Sequence, residues 1–179
     1  MSKHVLIIST SFRRNGNSEK MALEFQRGAE EAGNETELVQ LRDISMKYCH
    51  GCFGCRTRHS CIHHDEAAGL VNKMHDADVL VFASPLYFHG VTGQMKTLLD
   101  RTVPIMDLNN AFTDVYLLLS SAETDEYGTE EAERTVNNWL RHFPSAKLKD
   151  IAFADCVKYT DQINGHPALK KAYELGKNI

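Results

Sequence analysis

Four of the five cysteines in the sequence are clustered between positions 49 and 61. They follow the spacing C-x2-C-x2-C-x5-C, and glycines at positions 51 and 54 let the backbone wrap around a shared ligand. Four thiolates so close together can surround one iron–sulfur cluster, although the ferredoxin spacing differs because no proline follows the fourth cysteine. The candidate ligands are Cys49, Cys52, Cys55 and Cys61.

Two other states of these cysteines remain open. Tetrahedral zinc also binds thiolates, and the nearby His50, His59, His63 and His64 are additional ligands of the right type. The third state is a set of free thiols without metal. Cys156 stands apart from the cluster, and we expect it to be a lone buried thiol.

A polar loop at 9–18 links an apolar run to the start of a predicted helix. Helix N-termini attract phosphate, because they present unpaired N–H groups and partial positive charge. The alternative is an ordinary helix cap at Asn17 or Ser18. No G-x-x-x-x-G-K-S/T is present, which excludes a triphosphatase loop, and the absence of G-x-G-x-x-G disfavours a dinucleotide site. The hydroxyls of Ser9, Thr10, Ser11 and Ser18, the Asn17 amide and the Arg13 guanidinium are the candidate phosphate contacts.

A second loop, beginning at position 84, carries two adjacent aromatic residues, Tyr87 and Phe88. Pro85 stiffens the turn, and Gly90 permits close approach of the backbone to a ligand. Adjacent residues cannot both point inward from regular structure, so at least one aromatic ring is available to a ligand or partner. This composition suits a planar apolar group such as an isoalloxazine ring.

Strand and helix patterns alternate five times along the chain. This order predicts an α/β fold in which helices cover both faces of one parallel sheet. We predict a three-layer, doubly wound, flavodoxin-like domain over 1–179 with the strand order 2-1-3-4-5, interrupted by a Cys-rich loop at about 43–64. The ligand crevice then lies at the carboxyl ends of strands one and three. The predicted strands are 4–9, 36–41, 77–83, 114–120 and 148–156; the predicted helices are 18–33, 65–75, one ending near 103, 126–142, and 167–175 closed by Gly176.

Composition excludes several classes of protein. The net charge is −4 without a basic block, which argues against nucleic acid as a partner. No apolar run reaches the length of a membrane span or a signal peptide core, so we expect no membrane association and a cytoplasmic protein. A reducing compartment makes structural disulfides unexpected.

The two loop motifs together resemble those of a known family. T-S-x-R-x-x-G-N-S at 10–18 and S-P-L-Y-F-x-G-x-x-G-Q-M-K-x-x-x-D-R at 84–101 are similar to motifs of NAD(P)H-dependent FMN reductases of the flavodoxin-like superfamily, near the iron–sulfur flavoprotein branch. Thr10 and Phe12 stand where the first loop of this family usually carries Gly and Pro. A third flavin loop, which follows strand four, lacks the glycines that are common in this family. The resemblance implies that the FMN phosphate is held by Ser11, Arg13, Asn17 and Ser18. It also implies that the ring and ribityl chain are lined by Pro85, Leu86, Tyr87, Phe88 and Gly90, with His89 beside them. The third flavin loop would be formed by Ser120 and Ser121.

The resemblance also implies a function. NAD(P)H would reduce FMN, and reduced FMN would pass electrons to a quinone, a flavin or another small-molecule or protein acceptor. The flavin carries this chemistry, so no catalytic side chain is expected. A homodimer or homotetramer and a [4Fe-4S] cluster on the four cysteines follow from the same branch. The alternatives are an electron-transfer protein that works with ferredoxin-like partners through the cluster, and a non-enzymatic protein that binds another anion.

Overall fold

Five parallel strands form one sheet in the order β2-β1-β3-β4-β5, in a computed structural model that describes residues 2–124 and 128–179. The predicted strand order is confirmed. β1 lies in register between its neighbours, with Val5 opposite Val79 of β3 and Thr36 of β2. The strands are β1 His4–Ser9, β2 Glu35–Gln40, β3 Val79–Pro85, β4 Asp114–Ser120 and β5 Lys147–Ala154.

Six α-helices connect or cover these strands within the described residues. Five correspond to the predicted ones, and a single turn within the Cys-rich loop was not predicted. The helix predicted from 126 begins at Glu130, and position 126 lies outside the described residues. The helices are α1 Asn17–Glu31, α2 Cys55–Arg58, α3 Ala67–Asp76, α4 Gly93–Asp100, α5 Glu130–Leu140 and α6 Pro167–Lys177; short 3-10 turns occupy Leu41–Asp43 and Val103–Ile105.

The alternation of side chains along β1 explains the three layers. Leu6 and Ile8 contribute to a core shared with α3, α4 and α5. Val5 and Ile7 point to the opposite face and contribute to a core shared with α1 and α6. All four side chains are fully buried, as expected for a central parallel strand that is covered on both faces.

Two glycines let α1 and α6 approach each other closely. A Cβ on Gly28 would overlap the carbonyl oxygen of Tyr173, and a Cβ on Gly176 would overlap that of Phe25. Gly176 was predicted to end the last helix, but α6 continues to Lys177 with Gly176 buried inside it. The prediction was wrong because this glycine serves helix packing and not helix termination.

The single tryptophan packs on the face of the sheet that α3, α4 and α5 cover. Trp139 of α5 stacks on Phe112 with ring centroids 5.9 Å apart and also contacts Phe82 and Phe143. Its indole N–H donates to the Thr102 hydroxyl at 2.8 Å. The cluster therefore anchors α5 against the segment that follows α4.

None of the helices in the described ranges combines the length and the apolar character that a bilayer crossing needs. Cys156, expected to be buried, is exposed, and its φ of 55° is left-handed. The strand ends two residues before it, so the side chain lies outside the core.

Candidate functional site

A crevice of about 590 Å³ opens at the carboxyl ends of β1, β3 and β4. This is the edge at which a doubly wound sheet binds ligands. It contains most of the predicted contacts and four further residues. The predicted residues that line it are Ser11, Arg13, Asn17, Ser18, Pro85, Leu86, Tyr87, Ser120 and Ser121; the additional ones are Gly16, Ala122, Val157 and Lys158.

The loop after β1 is folded by its own hydrogen bonds. The Ser11 hydroxyl accepts from the N–H of Arg13 at 3.1 Å, and the N–H of Gly16 donates to the Arg13 carbonyl at 3.2 Å. Asn15 adopts a left-handed φ of 54° before the helix begins. No side chain of the described residues caps the first turn of α1. The helix N-terminus therefore meets the crevice with its backbone N–H groups uncapped.

Asn17 joins this loop to the segment that follows β5. Its side-chain amide donates to the carbonyls of Val157 at 2.7 Å and Tyr159 at 3.0 Å. Both amide protons are therefore used within the protein, and the backbone N–H is what remains at this residue for a ligand. Arg13 makes a similar link, from Nη1 to the Lys158 carbonyl at 2.9 Å.

These links bring Val157 and Lys158 into the crevice, where sequence reasoning had missed them. The sequence could have predicted both residues here. The carboxyl ends of parallel strands meet at one edge of the sheet, and both residues closely follow β5. Gly16 and Ala122 adjoin predicted residues. Lys158 adds a second cation beside Arg13 at this end of the crevice.

The loop after β3 forms a tight turn between Tyr87 and Gly90. The N–H of each donates to the carbonyl of the other, at 3.0 and 3.1 Å. Phe88 and His89 occupy the two central positions with φ of 51° and 65°, which is the geometry of a type I′ turn. Tyr87 lines the crevice and Phe88 is fully exposed. Both rings are thus accessible, which agrees with the expectation that at least one of them would be.

Buried hydroxyls tie the two loops together. Thr92 caps α4 and donates from its hydroxyl to the Thr10 oxygen at 3.0 Å. The N–H of Thr92 donates in turn to the Ser84 hydroxyl at 3.3 Å. Thr10 therefore stabilises the loop pair and is turned away from the crevice lining. Ser9, Phe88, His89 and Gly90 are likewise absent from that lining.

The floor of the crevice is set by β4. The N–H of Leu86 donates to the Ser120 carbonyl at 2.8 Å, which extends the pairing of β3 and β4 past Pro85. The N–H of Ser121 donates to the Ala154 carbonyl of β5 at 2.8 Å. The two serines are held by the sheet itself.

All four clustered cysteines line a second cavity. The predicted grouping of Cys49, Cys52, Cys55 and Cys61 is therefore observed as a shared, largely apolar cavity, which His50, Gly51, Phe53, Ile62, His63 and Val103 complete. Burial raises the pKa of the Cys55 thiol, and the charges of the other three cysteines raise it further.

The described residues contain no group of three or more His, Cys, Asp or Glu side chains arranged to hold a single metal ion. A tetrahedral zinc site needs its thiolates about 2.3 Å from one point. Among the described residues the four thiols therefore share one cavity without being gathered around a single metal position.

A buried ion pair supports the Cys-rich loop. Arg101 donates to both carboxylate oxygens of Asp65 at 2.8 Å and to the Lys47 carbonyl at 2.7 Å. The Arg101 guanidinium, together with the N–H of Lys47, lowers the pKa of Asp65 to about 2. Asp65 and, more weakly, the Cys61 thiol raise the pKa of Arg101. Arg101 therefore links α4 to both ends of the Cys-rich loop.

The strand order and the crevice define a flavodoxin-like α/β protein with polar and aromatic loops at the carboxyl edge of its sheet. The chain belongs to the NADPH-dependent FMN reductase family, whose model matches residues 4–157. The resemblance carried by the two loop motifs is thereby confirmed.

Several relatives are iron–sulfur flavoproteins. One from Methanocaldococcus jannaschii is 37% identical over 101 residues, which cover 56% of this chain and 52% of the relative. One from Methanosarcina thermophila is 30% identical over 134 residues, covering 74% and 70%. One from Archaeoglobus fulgidus is 35% identical over 92 residues, covering 51% and 42%. The chain thus spans about half the length of the first and third of these proteins.

Solved structures share the fold. An NAD(P)H:quinone oxidoreductase from Methanothermobacter marburgensis superimposes with a TM-score of 0.77 at 19% identity, covering 99% of this chain and 97% of that one. An azoreductase from Bacillus anthracis gives 0.74 at 16% identity, covering 100% of both chains. At these identities the likeness establishes the fold alone.

Proposed function

We propose that the protein binds FMN in the crevice at the carboxyl edge of the sheet and passes reducing equivalents from NAD(P)H through it to an acceptor. The observation that carries this proposal is the pairing, in one crevice, of an uncapped helix N-terminus with an aromatic turn. Membership of the FMN reductase family supports the same assignment.

The loop after β1 fits the FMN phosphate. The first turn of α1 offers backbone N–H groups, and Arg13 and Lys158 supply positive charge beside it. Ser11 and Ser18 line the same end of the crevice.

The turn at 85–90 suits the ring and the ribityl chain. Tyr87 supplies a planar surface, while Pro85 and Leu86 are held in place by pairing with β4. Phe88, His89 and Gly90 form the outer part of the turn, where they would meet a bound ring or its reaction partner. Ser120 and Ser121 would border the ribityl chain or the ring edge from the neighbouring strand.

Bound FMN accepts a hydride and returns electrons singly or in pairs. The residues of this chain bind and orient the flavin, and we assign none of them a proton-transfer step. The acceptor in this proposal is a quinone, a flavin or another small-molecule or protein acceptor. Five free cysteines are consistent with a reducing compartment, and we propose a cytoplasmic homodimer or homotetramer.

The second candidate is an iron–sulfur flavoprotein that exchanges electrons with a ferredoxin-like partner. The specific observation in its favour is the shared cavity lined by Cys49, Cys52, Cys55 and Cys61. A cluster takes its four thiolates on different irons, so it needs them around a space and not around one point. The names of the relatives agree with this candidate.

The test begins with protein purified without oxygen. FMN binding is titrated by quenching of flavin fluorescence, and the bound flavin is then mixed with NADH or NADPH. We expect saturable binding and bleaching by at least one nicotinamide. Binding without bleaching by either nicotinamide would leave the electron-transfer candidate, and failure to take up FMN would favour a protein that binds another anion.

A matched pair of arginine variants tests the phosphate end of the site. Arg13→Gln should weaken FMN binding about tenfold or more, because a charge-assisted hydrogen bond is lost. Arg14→Gln is the control, since Arg14 lies outside the crevice lining and pairs with the exposed Asp43. Equal affinities in the two variants would contradict the assignment of Arg13.

A further inference from the structure

Glu19 lies in the first turn of α1, at the end of the helix that faces the crevice. Its side chain is only 9% exposed. The carboxylate accepts four hydrogen bonds: two from Arg42 at 2.9 and 3.0 Å, one from the Gln40 amide at 3.1 Å and one from the N–H of Asn15 at 2.9 Å. A carboxylate is therefore fixed in place in the first turn of the helix that faces the proposed FMN site, although Glu19 does not line the crevice itself.

The bond to Asn15 shows what Glu19 contributes to the loop. Asn15 is left-handed, with φ of 54°, and its N–H points back to the carboxylate. The neighbouring Gly16 lies so close to Arg13 that a Cβ there would be 3.0 Å from the Arg13 carbonyl. Glu19 thus holds the left-handed residue that turns this tight loop into the helix.

The same carboxylate creates an electrostatic problem. A helix N-terminus carries only a partial positive charge, so a carboxylate fixed there competes with a phosphate for the same stabilisation. Glu19 does not line the crevice, but its charge lies in the first turn of the helix whose N-terminus faces the crevice, so it would repel a bound phosphate. A phosphate site beside Glu19 therefore needs a cation that compensates this charge.

Arg42 supplies this cation from the other side of the loop. Its side chain is 10% exposed, and its planar guanidinium meets the carboxylate through two parallel hydrogen bonds. The Glu19 carboxylate also raises the pKa of Arg42, so the cation is permanent. Asp43 approaches Arg42 only to 3.9 Å and is more than half exposed, which leaves Glu19 as the main partner.

We infer that Arg42 is a positioning residue that neutralises Glu19 and so lets the loop accept a phosphate. Glu19 fixes the shape of the loop through its bond to Asn15, and Arg42 neutralises the negative charge of the Glu19 carboxylate. The pair would therefore set the preference for FMN over riboflavin, which carries the same ring without the phosphate. This inference rests on the proposed FMN site.

The experiment compares dissociation constants for FMN and riboflavin by flavin fluorescence quenching in the full chain. Arg42→Gln leaves Glu19 charged and unpaired, so we expect FMN affinity to fall about tenfold while riboflavin affinity stays within about twofold. The double variant Glu19→Gln with Arg42→Gln removes both charges and should restore most of the FMN preference. Arg42→Lys keeps the charge and should retain it. Circular dichroism checks that each variant is folded.

Arg27→Gln is the matched control. Arg27 lies on α1, the helix that carries Glu19. It is exposed and pairs with Glu24 and Glu31, away from the N-terminus of that helix. Its FMN-to-riboflavin ratio should equal that of the wild type. Equal losses for both flavins in Arg42→Gln, or no recovery in the double variant, would overturn the inference. A wild-type chain that binds neither flavin would instead overturn the proposed function, and the inference with it.

Discussion

Arg101 and Asp65 form an almost fully enclosed ion pair, with side-chain exposures of 1% and 6% and two hydrogen bonds of 2.8 Å. The two residues lie 36 positions apart and join α4 to the end of the Cys-rich loop. Removal of one partner from a buried pair leaves the other charge uncompensated. This pair therefore restrains the position of the loop.

The first prediction concerns acid stability. The pKa of Asp65 falls from its ordinary 3.8 to about 2 in the folded protein, so its contribution is present above about pH 4 and is lost as the pH falls towards 2. Asp65→Asn should lower the free energy of unfolding by about 3 kcal/mol near pH 7. The difference from wild type should shrink by roughly 2 kcal/mol towards about pH 2.

Urea unfolding at several pH values measures this difference. Asp107→Asn is a suitable control, because Asp107 pairs with Arg56 at a half-exposed surface position. It should change stability by less than about 0.5 kcal/mol at every pH. A pH-independent difference between wild type and Asp65→Asn would contradict the linkage.

The second prediction concerns the turn at 87–90. Phe88 is fully exposed and left-handed, a conformation that Asn tolerates far better than an aromatic residue. Phe88→Asn should therefore raise the free energy of unfolding by roughly 0.5–1 kcal/mol. Tyr48→Asn is the comparison, since Tyr48 is 77% exposed without a positive φ. The prediction fails if both changes have the same effect.

The third prediction uses the contact between α1 and α6. Gly28→Ala would force a methyl group into the Tyr173 carbonyl and should destabilise the protein by about 1–3 kcal/mol. Gly69→Ala places the same methyl group on α3, where no heavy atom lies within 4 Å. It should stabilise by up to about 1 kcal/mol, because alanine favours the helix. Thermal unfolding of the two variants would show shifts of opposite sign.

The fourth prediction tests the cysteine cavity. Cys55→Ala should abolish bound iron and acid-labile sulfide in protein purified without oxygen and should leave FMN binding intact, because the cavity and the crevice have no lining residue in common. Cys156→Ala should retain iron at the wild-type level, since Cys156 lies outside the cavity. Wild-type protein without iron would refute the cluster and leave the reductase proposal in place.

Local sequence patterns were sufficient for the sheet. The continuous apolar run at β1 and the alternation of strands with helices predicted the order that is observed. The loops were also found correctly, because strand ends and helix starts are encoded by nearby residues. Nine of the predicted flavin contacts line the crevice for this reason.

Contacts between distant segments were not predictable in the same way. The pairs Glu19–Arg42 and Asp65–Arg101 join residues 23 and 36 positions apart, and no periodic pattern marks them. Lys158 follows β5 at the correct edge of the sheet, but the contacts of the Asn17 amide and Arg13 with its segment have no local sequence pattern. Gly176 was wrongly predicted to end the last helix. A glycine near a helix end can terminate the helix or permit close packing against a neighbouring helix, and the sequence alone does not distinguish these roles.

Trp139 is the chain's one tryptophan, and it lies in a groove that also includes Cys49, Gly51 and Phe53 of the Cys-rich loop. The molecule consequently carries its own optical probe for that loop. Its intrinsic emission can be read without a label, and wavelength shifts would follow changes in polarity where the loop meets α5. Ordering of the Cys-rich loop could then be followed by stopped-flow fluorescence of the unlabelled protein.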